Sequence, residues 1–459
     1  MSMSSSKKLP IVAIVGRANV GKSSLFNAIL NRREAIVARE AGTTRDSISA
    51  KAEWNGHQFW LVDTAGVKNP EDDFELTIQE QITEAAAAAD VIWVVVEAPV
   101  APTEEDRRVA RLALKSGKPV SLVINKVDQA RGADLTLFDR LGVQPIVRTS
   151  VKQRRGLDQL LDGLVKVIPE VTSKEADNRL HIALLGRPNV GKSALFNSLA
   201  KKQQAIVADR AGTTRDINRA VVRYEGRELE IMDTAGIRRS GKIERGIEHF
   251  SVLRSLQAIE QADVCFLLMD VNELNTALDQ KIAGMIKEAG KGLVLVVSKW
   301  DAAEGRDAFT RDALAPQIAH EFDFVPWAPL IFTSSVTGQN VTKLFDLALS
   351  IDATRATRIS TRELNKWLIR MTDLHPPAGL KNRAPKLNYM VQEDDNPIPA
   401  FKVFGAHTKF LHWSYKRYLE RGLREAFGDG FVGTPVQLWF IEKHVTHKHG
   451  NSPTRGPRP

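Results

Sequence analysis

A single cysteine, only four tyrosines and no apolar run of membrane-spanning length set the first limits on this 459-residue chain. Cys265 alone excludes an intrachain disulfide framework, and its place in the apolar stretch ADVCFLLMD predicts a buried structural thiol, not a nucleophile. The longest hydrophobic runs, such as Val91 to Val96 and Val294 to Val297, fall far short of the roughly 20 residues a transmembrane helix needs, and read as buried strands. The opening MSMSSSKKLP lacks the apolar segment of an export signal, so a disordered tail and a cytoplasmic protein without membrane attachment are expected. Hydrophobic residues still make up 43% of the chain, enough for globular packing, and its length predicts two or three domains.

Acidic excess is missing too, and the net charge of +9 is unevenly placed. From Thr354 onward there are 18 Lys+Arg against 9 Asp+Glu, whereas residues 1–353 balance at 46 against 46. A surplus confined to the last 106 residues points to a polyanionic partner for that part, with nucleic acid as the first class to consider.

What the chain does contain is a repeat. Shifting it by 170 residues aligns Ile11–Asp46 with His181–Asp216, identical at 21 of 36 positions, and the same offset brings GTTRD at Gly42 onto Gly212 and DTAG at Asp63 onto Asp233. Each copy alternates apolar runs with amphipathic stretches, the pattern of a mostly parallel α/β sheet. The boundaries expected are a tail at 1–8, a first domain at 9–168, a polar linker at 169–179, a second domain at 180–352, an α+β module at 353–443 and a polar tail at 444–459. The module reads as helix, two strands, helix and strand. His444, His447 and His449 in the tail have no partner ligands that would make a metal site.

The repeated motifs carry phosphate chemistry. Gly16, Arg17, Ala18, Asn19, Val20, Gly21, Lys22 and Ser23 form G-x-x-x-x-G-K-S between a strand and a helix, and Gly186, Arg187, Pro188, Asn189, Val190, Gly191, Lys192 and Ser193 repeat it. Such a loop cradles phosphates with backbone N–H groups, the lysine reaches the terminal phosphates and the serine ligates Mg²⁺. Downstream lie Asp63, Thr64, Ala65 and Gly66, and Asp233, Thr234, Ala235 and Gly236, where the carboxylate holds the metal through water and the glycine N–H senses a γ-phosphate. One threonine of each GTTRD would complete the metal shell. In NKVD, Asn125, Lys126 and Asp128 end a strand; the Asp128 carboxylate suits the paired N1–H and amine donors of guanine, which favours GTP over ATP. The second copy has Ser298, Lys299 and Asp301, with serine in place of the asparagine.

Two such loops, two GTTRD segments, two DTAG loops and a basic α-β-β-α-β end together resemble the Der (EngA) family of bacterial tandem GTPases over nearly the whole length. The resemblance implies two Era/Ras-like P-loop domains and a KH-like domain, and a GTP hydrolase with two GTP/GDP sites. It also implies a protein that binds ribosomal RNA, acts in maturation of the large ribosomal subunit, and is monomeric with no DNA partner. It further implies that Thr44 and Thr214 are the metal-ligating threonines, with Thr43 and Thr213 the neighbouring alternatives. Ser150 and Ser334 match the serine behind the base, although Val151 and Ser335 replace the alanine that follows it in the family. Ser298 departs from the family's asparagine, and its shorter side chain is expected not to span the distance to the phosphate loop, leaving the second site the weaker. Ras-like GTPases place a water-orienting glutamine where this chain has Val67 and Ile237. The resemblance supplies another route: Asn19 and Asn189 match an asparagine that ligates K⁺ against the phosphates, a fixed charge at the transferred group.

After DTAG the copies diverge, with Glu71, Asp72, Asp73 and Glu75 in the first and Arg238, Arg239, Lys242 and Arg245 in the second. Oppositely charged loops suggest two coupled, unequal switches governing exposure of the basic module. That module lacks an evident G-x-x-G clamp. Phosphate contacts are therefore assigned to Lys381, Arg383 and Lys386, and to Arg417, Arg421 and Arg424 on one helical face beside Lys416. The competing reading is the GTPase arm of an RNA-modification enzyme, against which the third module shows no nucleophile–base constellation.

Overall fold

Apolar runs in the two repeats form two six-stranded sheets in this computed structural model. It describes residues 9–30, 49–64, 82–168 apart from 84, 86 and 131, 178–202, 218–234, 252–377 apart from 275 and 304–307, and 384–442 apart from 395. In the first repeat the elements are β1 (Ile11–Val15), α1 (Lys22–Leu30), β2 (Ser49–Trp54), β3 (His57–Asp63), β4 (Val91–Glu97), α2 (Glu104–Lys115), β5 (Val120–Asn125), β6 (Ile146–Arg148) and α3 (Leu157–Val167). In the second they are β7 (Leu180–Gly186), α4 (Lys192–Lys202), β8 (Asn218–Tyr224), β9 (Arg227–Asp233), α5 (Val252–Gln261), β10 (Val264–Asp270), α6 (Ala277–Glu288), β11 (Gly292–Ser298), α7 (Ala308–Glu321), β12 (Leu330–Phe332) and α8 (Lys343–Arg355). The strand orders, β2-β3-β1-β4-β5-β6 and β8-β9-β7-β10-β11-β12, are the same, with only the β2–β3 and β8–β9 pairs antiparallel.

Why these residues make a mostly parallel sheet is visible in their burial: β1, β5 and β11 are buried at every position, as strands covered on both faces must be. The loops at the carboxyl ends of these strands then fall together at one edge, where an open α/β sheet binds its ligands. Helices α2 and α6 each start on a capping box, Thr103 with Asp106 and Thr276 with Asp279, a device worth about 1 kcal/mol. Cys265 lies buried on β10, where desolvation pushes its thiol up to about 12. No described helix is long and apolar enough to cross a membrane.

The two repeats together, through Arg355, form one compact unit. Buried apolar residues of both join in one cluster that includes Trp60 and Ile82 of the first with Leu256 and Ile259 of the second. Val432–Pro435, which the sequence reading leaves inside the third module, belong with this unit as well. Gly433 donates to the Trp327 carbonyl (2.7 Å) and accepts from Leu293 N–H (2.9 Å). A pairing of this kind leaves no periodic trace in the chain.

The other unit comprises Ala356–Phe431 and the residues from Val436 onward. It contains α9 (Thr361–Leu374), β13 (Lys386–Gln392), β14 (Ala400–Ala406), α10 (Trp413–Ala426) and β15 (Gln437–Glu442), in the expected α-β-β-α-β order. β13 runs antiparallel and β15 parallel to the central β14. Leu364, Trp367, Phe401, Val403, Leu419 and Leu423 form its core.

Candidate nucleotide sites

Each phosphate loop leaves its strand through a glycine that has no room for a side chain. A Cβ on Gly16 would come 2.4 Å from the Val95 carbonyl, and one on Gly186 2.4 Å from that of Leu268. Asn19 and Asn189 follow with φ of 65° and 62°, the left-handed conformation that asparagine tolerates better than most residues. Successive N–H groups are thereby turned inward at the N-termini of α1 and α4, which forms an anion-binding nest. Lys22 is buried and donates to the carbonyls of Gly16 (2.6 Å) and Arg17 (2.7 Å); Lys192 does the same to Gly186 (2.9 Å) and Arg187 (2.6 Å). Each ammonium thus closes the ring of its own loop.

Register brings the carboxylates alongside. Ile14 pairs with Asp63 and Leu184 with Asp233 on neighbouring parallel strands, so both buried aspartates sit beside the loop entrance. Thr64 and Thr234 turn their hydroxyls onto the carbonyls of Ile14 (2.8 Å) and Leu184 (2.9 Å), which ties these strands together. Ser23 and Ser193 are exposed at the first turns of α1 and α4. Ala65, Gly66, Ala235, Gly236, Thr44 and Thr214, with Val67, Ile237 and the charged loops after DTAG, lie outside the described residues.

The loop arginines point away from the phosphate side. Arg17 pairs with Glu97 and stands 3.4 Å from Asp106. Arg187 reaches the Glu273 carbonyl (2.6 Å), the Glu273 carboxylate (2.9 Å) and Asp279 (3.3 Å). Both therefore brace the loop against the helix caps of α2 and α6. Glu97 also receives Lys126 (2.6 Å); although desolvation works to raise it, hydrogen bonds from Lys126 and Arg17 hold its carboxyl below the usual range. The sequence reading missed these braces because the partners lie 80 or more residues away.

At the base end, Ser150 Oγ donates to Asp128 Oδ1 and Ser334 Oγ to Asp301 Oδ1, both at 2.6 Å. Each carboxylate is thus held by the serine that the resemblance places behind the base. Asn125 donates to the Val20 carbonyl (3.1 Å) and accepts from Thr149 (3.2 Å), while Lys126 donates to the Asn19 carbonyl (2.6 Å). In the second repeat Lys299 pairs with Asp270 at 2.7 Å.

The serine of the second copy is not too short for its loop, contrary to expectation. Ser298 does reach the phosphate loop: its hydroxyl lies 2.6 Å from the Val190 carbonyl and 2.9 Å from that of Met269. The serine leaves more room beside its loop: a Cβ on Gly191 would meet only Lys299 Cε at 4.0 Å, whereas one on Gly21 would strike Asn125 Nδ2 at 2.4 Å.

Comparison with known proteins follows this geometry closely. The family model described as "50S ribosome-binding GTPase" matches residues 11–126 and 181–299, and "KH-domain-like of EngA bacterial GTPase enzymes, C-terminal" matches 358–440. GTPase Der of Gemmatimonas aurantiaca is 41% identical over 437 residues, which is 95% of this chain and 99% of that protein. The chain belongs to the Der family of GTPases. GTPase Der of Chloroflexus aggregans is 44% identical over 441 residues, covering 94% of this chain and 97% of the relative. As a member of the Der family the chain is a GTPase with two P-loop domains and a C-terminal KH-like domain.

The basic residues of the KH-like unit do not share one face. Arg421 is exposed and pairs with Glu425 (2.8 Å), but Arg424 is only 12% exposed. Arg424 bonds Glu420 (3.0 Å) and the carbonyls of Gly430 (3.3 Å) and Phe431 (3.2 Å), so it holds a turn and is withdrawn from the phosphate-contact set. Arg417 lies over the half-exposed Trp413 ring at 5.0 Å, and Lys386 is exposed at the start of β13. Lys381 and Arg383 lie outside the described residues.

Proposed function

We propose that this GTPase is a two-site switch that binds ribosomal RNA or pre-ribosomal particles and assists assembly of the large ribosomal subunit. The observation that supports this most directly is duplication of the whole nucleotide constellation, loop lysine, strand-end aspartate and serine-anchored base carboxylate, in one chain with a basic KH-like unit. The sites would take GTP or GDP, with Asp128 and Asp301 reading guanine, the loop N–H groups holding phosphates, and Lys22 and Lys192 offsetting their charge.

The donors at each site fit Mg²⁺. Ser23 and Asp63, and Ser193 and Asp233, are hard oxygen groups at the loop mouth, the ligand type that magnesium prefers. When bound, Mg²⁺ supplies neutralising charge at the phosphates; the residues orient the nucleotide and exclude alternatives at the base. Asn19 and Asn189 are exposed on the loop rim, and their amide oxygens suit K⁺. In place of a glutamine, potassium held there supplies positive charge to the transferred group. Hydrolysis in potassium buffer is expected to run about tenfold or more faster than in sodium, and equal rates in a steady-state phosphate-release assay would remove this assignment.

The functional reading is tested by co-sedimentation of the full chain with purified ribosomal subunits. Retention on the large subunit with a non-hydrolysable GTP analogue, greater than with GDP and lost steeply with salt, is expected. No retention in either nucleotide state would overturn the ribosomal role.

A further inference from the structure

The two strands that present the first nucleotide site are held upstream of it by a residue of the second domain. Glu260 stands near the end of α5, buried to 4% exposure. Its Oε1 accepts from the indole Nε1 of Trp60 at 2.6 Å, and its Oε2 accepts from the backbone N–H of Leu9 at 3.1 Å. Trp60 is on β3, three residues before Asp63, and Leu9 leads into β1, which runs straight into the phosphate loop at Gly16. Those strands are neighbours with Ile11 opposite Trp60 and Ile14 opposite Asp63. One carboxylate therefore pins the entry of β1 and the middle of β3, the two strands whose exit ends carry the loop and the aspartate.

The pin is itself flanked by a lysine from each domain. Lys291 Nζ donates to the Glu260 carbonyl at 3.0 Å, and Lys51, opposite Trp60 on β2, places its ammonium 5.4 Å from the indole ring. A buried lysine and a half-buried one thus stand near a buried carboxylate, an arrangement that holds its geometry because an unpaired charge there would be costly.

The second domain clamps its own strands. At the positions equivalent by the 170-residue shift, Ile11 becomes His181 and Trp60 becomes Glu230. His181 Nε2 lies 3.2 Å from Glu230 and its Nδ1 3.2 Å from Asp263, while Arg219 pairs with Glu230 at 2.8 Å. All of these residues are in domain two. The first domain shares one of these links, Ile11 N–H donating to Asp90 at 2.9 Å as His181 N–H does to Asp263 at 3.0 Å, so the difference in support lies at Trp60 and Glu260.

We propose that Glu260 is a positioning residue for the first nucleotide site, so that site one is completed across the domain interface while site two is self-supporting. This rests on the reading of Asp63 and the phosphate loop as nucleotide groups. By linkage, nucleotide binding at site one must then stabilise the interface as much as the interface favours binding.

The experiment uses the full chain with one site disabled at a time, Lys192→Ala to read site one and Lys22→Ala to read site two. Glu260→Gln puts an amide N–H against one of two buried donors, and Trp60→Phe removes the indole donor. Titrations with fluorescent GTP and GDP at fixed Mg²⁺ should show site one weakened about fivefold or more for GTP by either substitution. GDP affinity should fall less, because Asp63 acts on the metal and γ-phosphate region; site two should stay within about twofold of its parent. A merely structural role would depress GTP and GDP alike and at both sites, and that result, or an unchanged site one, overturns the inference. If the unsubstituted chain binds guanine nucleotide at neither site, the reading of the sites fails first and takes this inference with it.

Discussion

Asp128→Asn is expected to lower GTP affinity at the first site about a thousandfold and to create a preference for xanthosine triphosphate. The carboxylate, oriented by Ser150 at 2.6 Å, is the acceptor for two guanine donors. An amide would set an N–H against the guanine amine, losing charge-assisted hydrogen bonds of about 1.5–3 kcal/mol each. Xanthine carries a carbonyl where guanine carries that amine, so the same amide complements it, and discrimination through hydrogen bonds of this kind is large. Competitive titration of both nucleotides in a Lys192→Ala background measures the change; unaltered GTP affinity would mean that Asp128 does not read the base. Asp301→Asn should do the same at the second site from a weaker start. Asn125 has two N–H groups and uses one on Val20, but the Ser298 hydroxyl has one proton to share between the carbonyls of Val190 and Met269. The brace to the phosphate loop survives the asparagine-to-serine departure, and a donor is what it costs, about tenfold in affinity.

Stability of the second domain is expected to fall on both sides of a window near pH 4.5–6.5. Desolvation alone would lower the pKa of buried His181, but hydrogen bonds to Asp263 and Glu230 raise it from 6.5 to about 9. A group raised in the folded state contributes fully below its unfolded pKa, and that contribution disappears as pH climbs through about 9. It amounts to on the order of 3 kcal/mol at 1.36 kcal/mol for each pKa unit. The acidic limb has the opposite sign. The hydrogen bond from His181 lowers Glu230 from 4.5 to about 2 against its desolvation. Asp263, despite the desolvation that would raise it, is brought from 3.8 to about 2 mainly by its hydrogen bond with His181. Their contribution is present above those unfolded values and disappears as pH falls toward 2. Urea unfolding at several pH values measures both limbs, and His181→Gln should flatten the alkaline one. Parallel curves for the two proteins would show that the imidazolium is not the cause.

Much of this molecule is readable along the chain because the informative patterns are local. Buried parallel strands are short apolar runs, the phosphate loops need glycine where a strand carbonyl presses close, and capping boxes are written within four residues. The 170-residue repeat, the two sets of nucleotide motifs and the α-β-β-α-β order all follow from spacing alone. The direction of a long side chain does not. Arg421 and Arg424 look equivalent on a helical wheel, yet only the packed turn at Gly430 and Phe431 draws Arg424 inward. Arg17 and Arg187 stand within phosphate motifs but turn to braces that the loop sequence does not contain.

The phosphate loops themselves show where the division falls. The chain by itself determined that there are two loops, with asparagine, lysine and serine at matching places, because each loop is one continuous segment bounded by its own strand and helix. Only the tertiary structure decided how each is braced. Ser298 reaches Val190 across 108 positions of sequence, and Glu260 reaches Trp60 across 200. Such contacts depend on how sheets and helices pack in space, and a buried carboxylate is fixed by the donors that surround it, not by its neighbours along the chain.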